Sequence, residues 1–100
     1  ISVDIEMVIH LDTLLQKDWK RIRLVFNPRC QAQVHVATQD TFDADKRWNT
    51  ISNSSDNGKV EYWFKDGERS TFLFVRLTES SANALFNFYG LEIEYDVNKN

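Results

Sequence analysis

The chain is poor in four things, and each scarcity excludes something. Cysteine occurs once, at Cys30, so no disulfide can close within the chain and the stapled framework of many small secreted domains is excluded. That count leans towards a reducing compartment or an assembly. Proline occurs once and glycine three times, which excludes collagen-like repeats and the composition of a disordered linker. No apolar run approaches the roughly 20 residues of a membrane-spanning helix, so no membrane span is expected, and no charged-then-apolar leader opens the chain. Neither sign of charge dominates: fifteen acids face twelve bases, interspersed, for a net charge of −3. That balance supplies no reason to hold a phosphate backbone, and nucleic acid is not an expected partner. Lys17, Lys20, Arg21 and Arg23 form a short basic stripe that reads as a solvated strand face.

Aromatic residues, by contrast, are plentiful: three Trp, three Tyr and seven Phe in 100 residues. A chain of this length buries roughly 60–70% of its unfolded surface, and these rings are the largest groups available to fill that interior. Alternation says how they are arranged. Val3, Ile5, Met7, Ile9 and Leu11 alternate with Asp4, Glu6, Val8 and His10, while Leu91, Ile93, Tyr95 and Val97 alternate with Glu92, Glu94 and Asp96. Period two means strands with one buried and one wet face. The pattern predicts seven strands, over residues 3–11, 19–26, 32–38, 47–52, 59–65, 70–78 and 85–97. Asn57-Gly58 and Asp66-Gly67 carry the signal of tight hairpin turns. The expected fold is therefore all-β: an antiparallel two-sheet β-sandwich, jelly-roll-like, forming one domain over residues 1–100. Because the first residue is Ile rather than Met, the domain is expected to be excised from, or part of, a larger protein.

Three details sharpen this. Phe86 and Phe88 share parity with Glu92 and Glu94, and two Phe should not share a solvent face with two Glu. A one-residue bulge at Tyr89-Gly90 resolves the clash by turning both Phe inward. The acidic rows on the first and last strands would repel if paired directly, so Arg21 and Arg23 are the natural neighbours of one row. Residues 59–65 and 70–78 are apolar on both faces, so a long loop or a partner subunit should cover the side carrying Trp63, Phe72 and Phe74. In the connection from Gln39 to Lys46, Phe42 is expected as an anchor in the core.

Little here points to chemistry. There is no Gly-rich phosphate loop, metal-type His/Cys spacing or nucleophile elbow. Acids at alternate strand positions stand about 7 Å apart, too wide for one calcium or magnesium shell. As a nucleophile Cys30 would need an activating base such as His35; a small residue beside the Asn27-Pro28 turn is the simpler reading. His10 and His35 fall on outer faces. No enzyme activity, cofactor or metal is expected. Two binding roles remain. The candidate protein-interaction surface is Trp63, Phe72, Phe74, Arg21 and Arg23. The alternative is a lectin-like module that stacks sugars on Trp48, Tyr62 or Trp63, helped by Asn49.

The run Phe72-Leu73-Phe74-Val75-Arg76-Leu77-Thr78, a polar turn, then Phe86-Asn87-Phe88-Tyr89-Gly90-Leu91-Glu92-Ile93-Glu94-Tyr95 resembles the end of β-sandwich domains in structural proteins of the tailed-bacteriophage tail and neck. The resemblance covers about a quarter of the chain. It implies a non-enzymatic virion domain, assembled in the host cytoplasm, that contacts other virion proteins and copies of itself. The same ending is similar to galactose-binding-like jelly rolls, whose last strand returns beside the first. That family implies carbohydrate as partner and a secreted or cell-surface location, but its calcium- and sugar-binding loop residues have no match here.

Overall fold

The computed structural model describes residues 3–10, 15–27, 32–43, 45–52, 58–79 and 87–97. Its extended elements are eight strands: β1 (Val3–Ile9), β2 (Lys17–Phe26), β3 (Gln33–Gln39), β4 (Asn49–Ser52), β5 (Lys59–Trp63), β6 (Arg69–Ser70), β7 (Phe72–Glu79) and β8 (Phe88–Val97). Among the described residues no helix is long and apolar enough to cross a membrane. Each of the strand pairings is antiparallel. The first sheet has the order β1-β7-β3-β4; in the second, β2 is central, with β5 and β6 along one edge and β8 along the other. The chain is a two-sheet β-sandwich. The step from β2 to β3 and the step from β5 through β6 to β7 both cross between sheets, and β2 pairs β5 while β3 pairs β7. The steps from β1 to β2, from β4 to β5 and from β7 to β8 cross as well, so the chain ties the two layers together repeatedly.

The core lies where the inward rows meet. Ile22, Leu24 and Phe26 of β2, Val34 and Val36 of β3, Val60 of β5, and Leu73, Val75 and Leu77 of β7 are buried. Met7, Ile9, Tyr62, Phe88, Leu91, Ile93 and Tyr95 pack against them, half-buried. The alternation that marks these strands in sequence is thus the inside–outside alternation of the sandwich.

The bulge at Tyr89-Gly90 is present. Val25 pairs Gly90 and Phe26 pairs Phe88, so Tyr89 is the extra residue. Phe88 turns inward, its ring 5.2 Å from that of Phe26. A second bulge, unmarked by any glycine, sits at Lys20, between the Trp19–Tyr95 and Arg21–Glu94 pairs. It puts Trp19 on the inner side, 1% exposed, although simple parity would place it beside Arg21 in solvent.

The stretch expected as one strand over 70–78 is two, because the chain changes sheets at Thr71. β6 pairs with β2, and β7 pairs with β1 and β3. Buried polar groups build this corner. The Trp19 indole N–H donates to Ser70 Oγ at 2.8 Å, and Ser70 Oγ donates to the Phe72 carbonyl at 2.8 Å. Lys17 Nζ donates to the Thr71 carbonyl at 3.0 Å, while the Thr71 N–H donates to the Asp40 carboxylate at 3.0 Å. Burial pulls the Lys17 ammonium below the usual lysine range.

Three expectations need correction. No hairpin ends at Gly58, because β4 and β5 lie in different sheets. Asp66-Gly67 does not close a hairpin, because β5 and β6 both pair with β2 and not with each other. It makes a tight excursion along one edge, closed by the Glu68 N–H on the Lys65 carbonyl at 3.1 Å, with Gly67 at φ +84°. Phe42 is not plugged into the core: it is 53% exposed and rests outside, against Phe72 and Phe74. The space between the sheets is already filled by Leu73, Val75 and Leu77, whereas the outer side of β7 offers bare rings. β8 returns beside β2, not beside β1. Cys30, Pro28, Asn57 and Phe86 lie outside the described residues.

Candidate functional site

Candidate residues gather in three places. The first is the outer face of the β2–β5–β8 sheet. Outward positions there form three adjacent rows: Lys59, Glu61 and Trp63 on β5, Arg21 and Arg23 on β2, and Glu92 and Glu94 on β8. The predicted neighbourhood of the basic and acidic rows is what the register delivers, with Arg21 opposite Glu94 and Arg23 opposite Glu92. Arg23 bridges Glu92 at 3.3 Å. Arg21 reaches diagonally to Glu61 at 3.2 Å, and its guanidinium lies 5.4 Å from the Trp63 ring centre. The Trp63 indole N–H donates to the other oxygen of Glu61 at 3.2 Å. Three side chains thus close a triangle that fixes an indole still 60% exposed. Sequence reasoning misses Glu61; its place two residues before Trp63, on the same strand face, is the signal that marks it.

The second place is the outer face of the β1–β7–β3–β4 sheet. Phe72 and Phe74 lie here, on the opposite side of the sandwich from Trp63, Arg21 and Arg23. The five residues expected to form one surface therefore occupy two. Their parity puts all of them outward, but only the sheet assignment separates the outside of one layer from the outside of the other. Phe74 is moreover buried. Phe42 leans on it, Lys46 Nζ stands 4.5 Å over its ring, and the small Ala37 is its β3 neighbour. Phe42 and Lys46, from the connection between β3 and β4, supply the loop cover that the two-sided apolar pattern calls for, over Phe72 and Phe74 but not over Trp63.

Beside that patch runs a polar network. Arg76 grips Asp4 with two hydrogen bonds of 2.8 and 2.6 Å, and its guanidinium lies 5.8 Å from the Trp48 ring centre. Arg76 holds the Asp4 carboxyl below its usual range, and Asp4 in turn raises the guanidinium. His35 contacts Thr50 through Nδ1 at 2.8 Å and Thr78 through Nε2 at 3.1 Å. Burial, reinforced by the nearby Arg76 charge, pushes the imidazole below its ordinary value despite the opposing pull of Asp4. A neutral imidazole held between two hydroxyls that can each donate or accept is a satisfied structural group.

The third place is the seam between the sheet edges β4 and β5, where a cleft of about 230 Å³ opens. Tyr62 and Phe64 line it, and Asn49 Nδ2 donates to the Tyr62 hydroxyl at 3.4 Å. Trp48 and Trp63 do not line this cleft. The three stacking candidates Trp48, Tyr62 and Trp63 therefore lie on three separate surfaces, and only Tyr62 and Asn49 come together. Among the described residues no group of three or more His, Cys, Asp or Glu could hold a metal. Compared with protein-family models, curated proteins and solved structures, the chain matches none.

Proposed function

We propose that this domain is a non-catalytic structural module that works through protein–protein contacts, and that its contact surface centres on Trp63. The observation that carries the reading is the braced indole. An exposed tryptophan costs solvation, and one whose rotamer is fixed by Arg21 and Glu61 has already given up the side-chain freedom that binding would otherwise remove. Trp and Arg are the residues that dominate binding energy at protein interfaces. Glu61 on β5, Arg21 and Arg23 on β2, and Glu92 and Glu94 on β8 lie side by side around Trp63, so a second copy packed by a two-fold axis can oppose acids to bases.

The resemblance of residues 72–78 and 86–95 to tail and neck sandwich domains supports a virion as the setting, assembled in the host cytoplasm, with other virion proteins and copies of itself as partners. Sedimentation of the purified chain over a range of concentrations tests this. Self-association that is lost in Trp63→Ala, with the melting temperature unchanged, supports the surface. A chain that stays monomeric at every concentration overturns it.

A further inference from the structure

We propose that the seam cleft between β4 and β5 binds a single neutral sugar ring or a comparable cyclic polyol, independently of the Trp63 surface. A volume of about 230 Å³ corresponds to roughly seven waters. That is room for one small ring with its substituents. One wall is apolar: Tyr62 and Phe64 meet edge to face, ring centres 5.1 Å apart at 85°. Val36 and Ala37 add to the apolar lining, and the polar side chains are Thr38, Arg47, Asn49 and Glu68.

The chemistry of that lining selects among ligands. Arg47 and Glu68 carry opposite charges, so neither a cation nor an anion finds a net partner. Vicinal hydroxyls suit both, since each can donate to the carboxylate and accept from the guanidinium or the Asn49 amide. The Thr38 hydroxyl donates to Glu68 at 2.9 Å and holds the carboxylate in place. The Asn49–Tyr62 hydrogen bond, at 3.4 Å, lies beyond the usual range, so both groups keep capacity for a ligand hydroxyl. The aromatic wall accepts the C–H face of the ring. This asymmetry, one apolar side and one of mixed donors and acceptors, is the general form of a small-molecule site.

The test is a titration of the ¹⁵N-labelled chain with methyl α-glucopyranoside, methyl α-galactopyranoside and N-acetylglucosamine, followed by amide shifts. Saturable shifts are expected at Asn49, Tyr62, Phe64 and Glu68 with at least one sugar. Arg47→Ala and Glu68→Gln should each weaken binding about tenfold or more, the loss that follows from removing a hydrogen bond to a charged group. The amide introduced by Glu68→Gln can still accept from Thr38, so that variant keeps the local fold. Trp63→Ala should leave sugar affinity unchanged, which separates this site from the protein-contact surface. Absence of saturation with all three sugars overturns the proposal. So do shifts of equal strength in both cleft variants, and so does saturation by free lysine or arginine instead.

Discussion

At the scale of the residue, the buried polar side chains of Lys17 and Ser70 meet at one corner. The indole N–H of Trp19 has Ser70 as its acceptor, and both residues are buried. Ser70→Ala leaves that donor without its acceptor, and the loss should be about 1–3 kcal/mol, read as a lower denaturant midpoint with an unchanged slope. His35 sets a different expectation. Its folded value lies below 6.5, so the unfolded chain takes the proton more readily. Its contribution is complete above pH 6.5 and is lost as pH falls through the folded value. Asp4, held below 3.8 by Arg76, adds stability that is present above that value and disappears at still lower pH. The melting temperature should therefore fall in two stages on acidification. His35→Gln should flatten the first stage and leave the second, and thermal melts across pH check this. The neutral hydrogen-bonding role of His35 is not readable from its lone outward position. Its partners Thr50 and Thr78 come from two other strands, and only the pairing of β4 and β7 on either side of β3 brings them to it.

At the scale of the element, the glycines separate two kinds of irregularity. Gly67 has φ +84°, whereas Gly90 is not among the positive-φ glycines and a Cβ there would meet nothing within 4 Å. Gly67→Ala should thus destabilise by about 1 kcal/mol, and Gly90→Ala should be neutral or stabilising by up to about 1 kcal/mol. Parallel melts of the two variants decide it. The bulge beside Gly90 is legible because Phe and Glu cannot share one face, and burial enforces that rule whatever residue occupies position 90. The Lys20 bulge obeys the same rule, since parity would otherwise put Trp19 in solvent; the signal exists, but no glycine draws attention to it. The break at Thr71 is not legible. Residues 70–78 read as one continuous strand, and only the switch of pairing partner from β2 to β1 and β3 divides them.

At the scale of the whole molecule, stability rests on pairings distant in sequence. The central strand β2 has β8 along its entire length, from Lys17–Val97 to Phe26–Phe88. A chain ending at Asn87 should consequently lose the cooperative unfolding transition, because Trp19, Ile22 and Leu24 would keep only one edge of their sheet. Dispersion of amide resonances and a single sharp melt, if both persisted in that truncation, would refute this. Closing such long loops before their contacts form also predicts folding in the range of milliseconds to seconds, measurable by stopped-flow fluorescence from the buried Trp19.

The sequence by itself determined the class of fold, which residues face inward on most strands, the bulge at Tyr89 and the alliance of Arg21 and Arg23 with an acidic row. All of these follow from local period-two patterning and from the cost of burying charge. Only the tertiary structure decided which sheet each strand joins. That choice placed Trp63 and Phe74 on opposite sides of the molecule, laid Phe42 outside rather than within, and drew Tyr62, Asn49, Arg47 and Glu68 around one cleft. Parity says whether a side chain points in or out, but the pairing of strands far apart in the chain sets its neighbours.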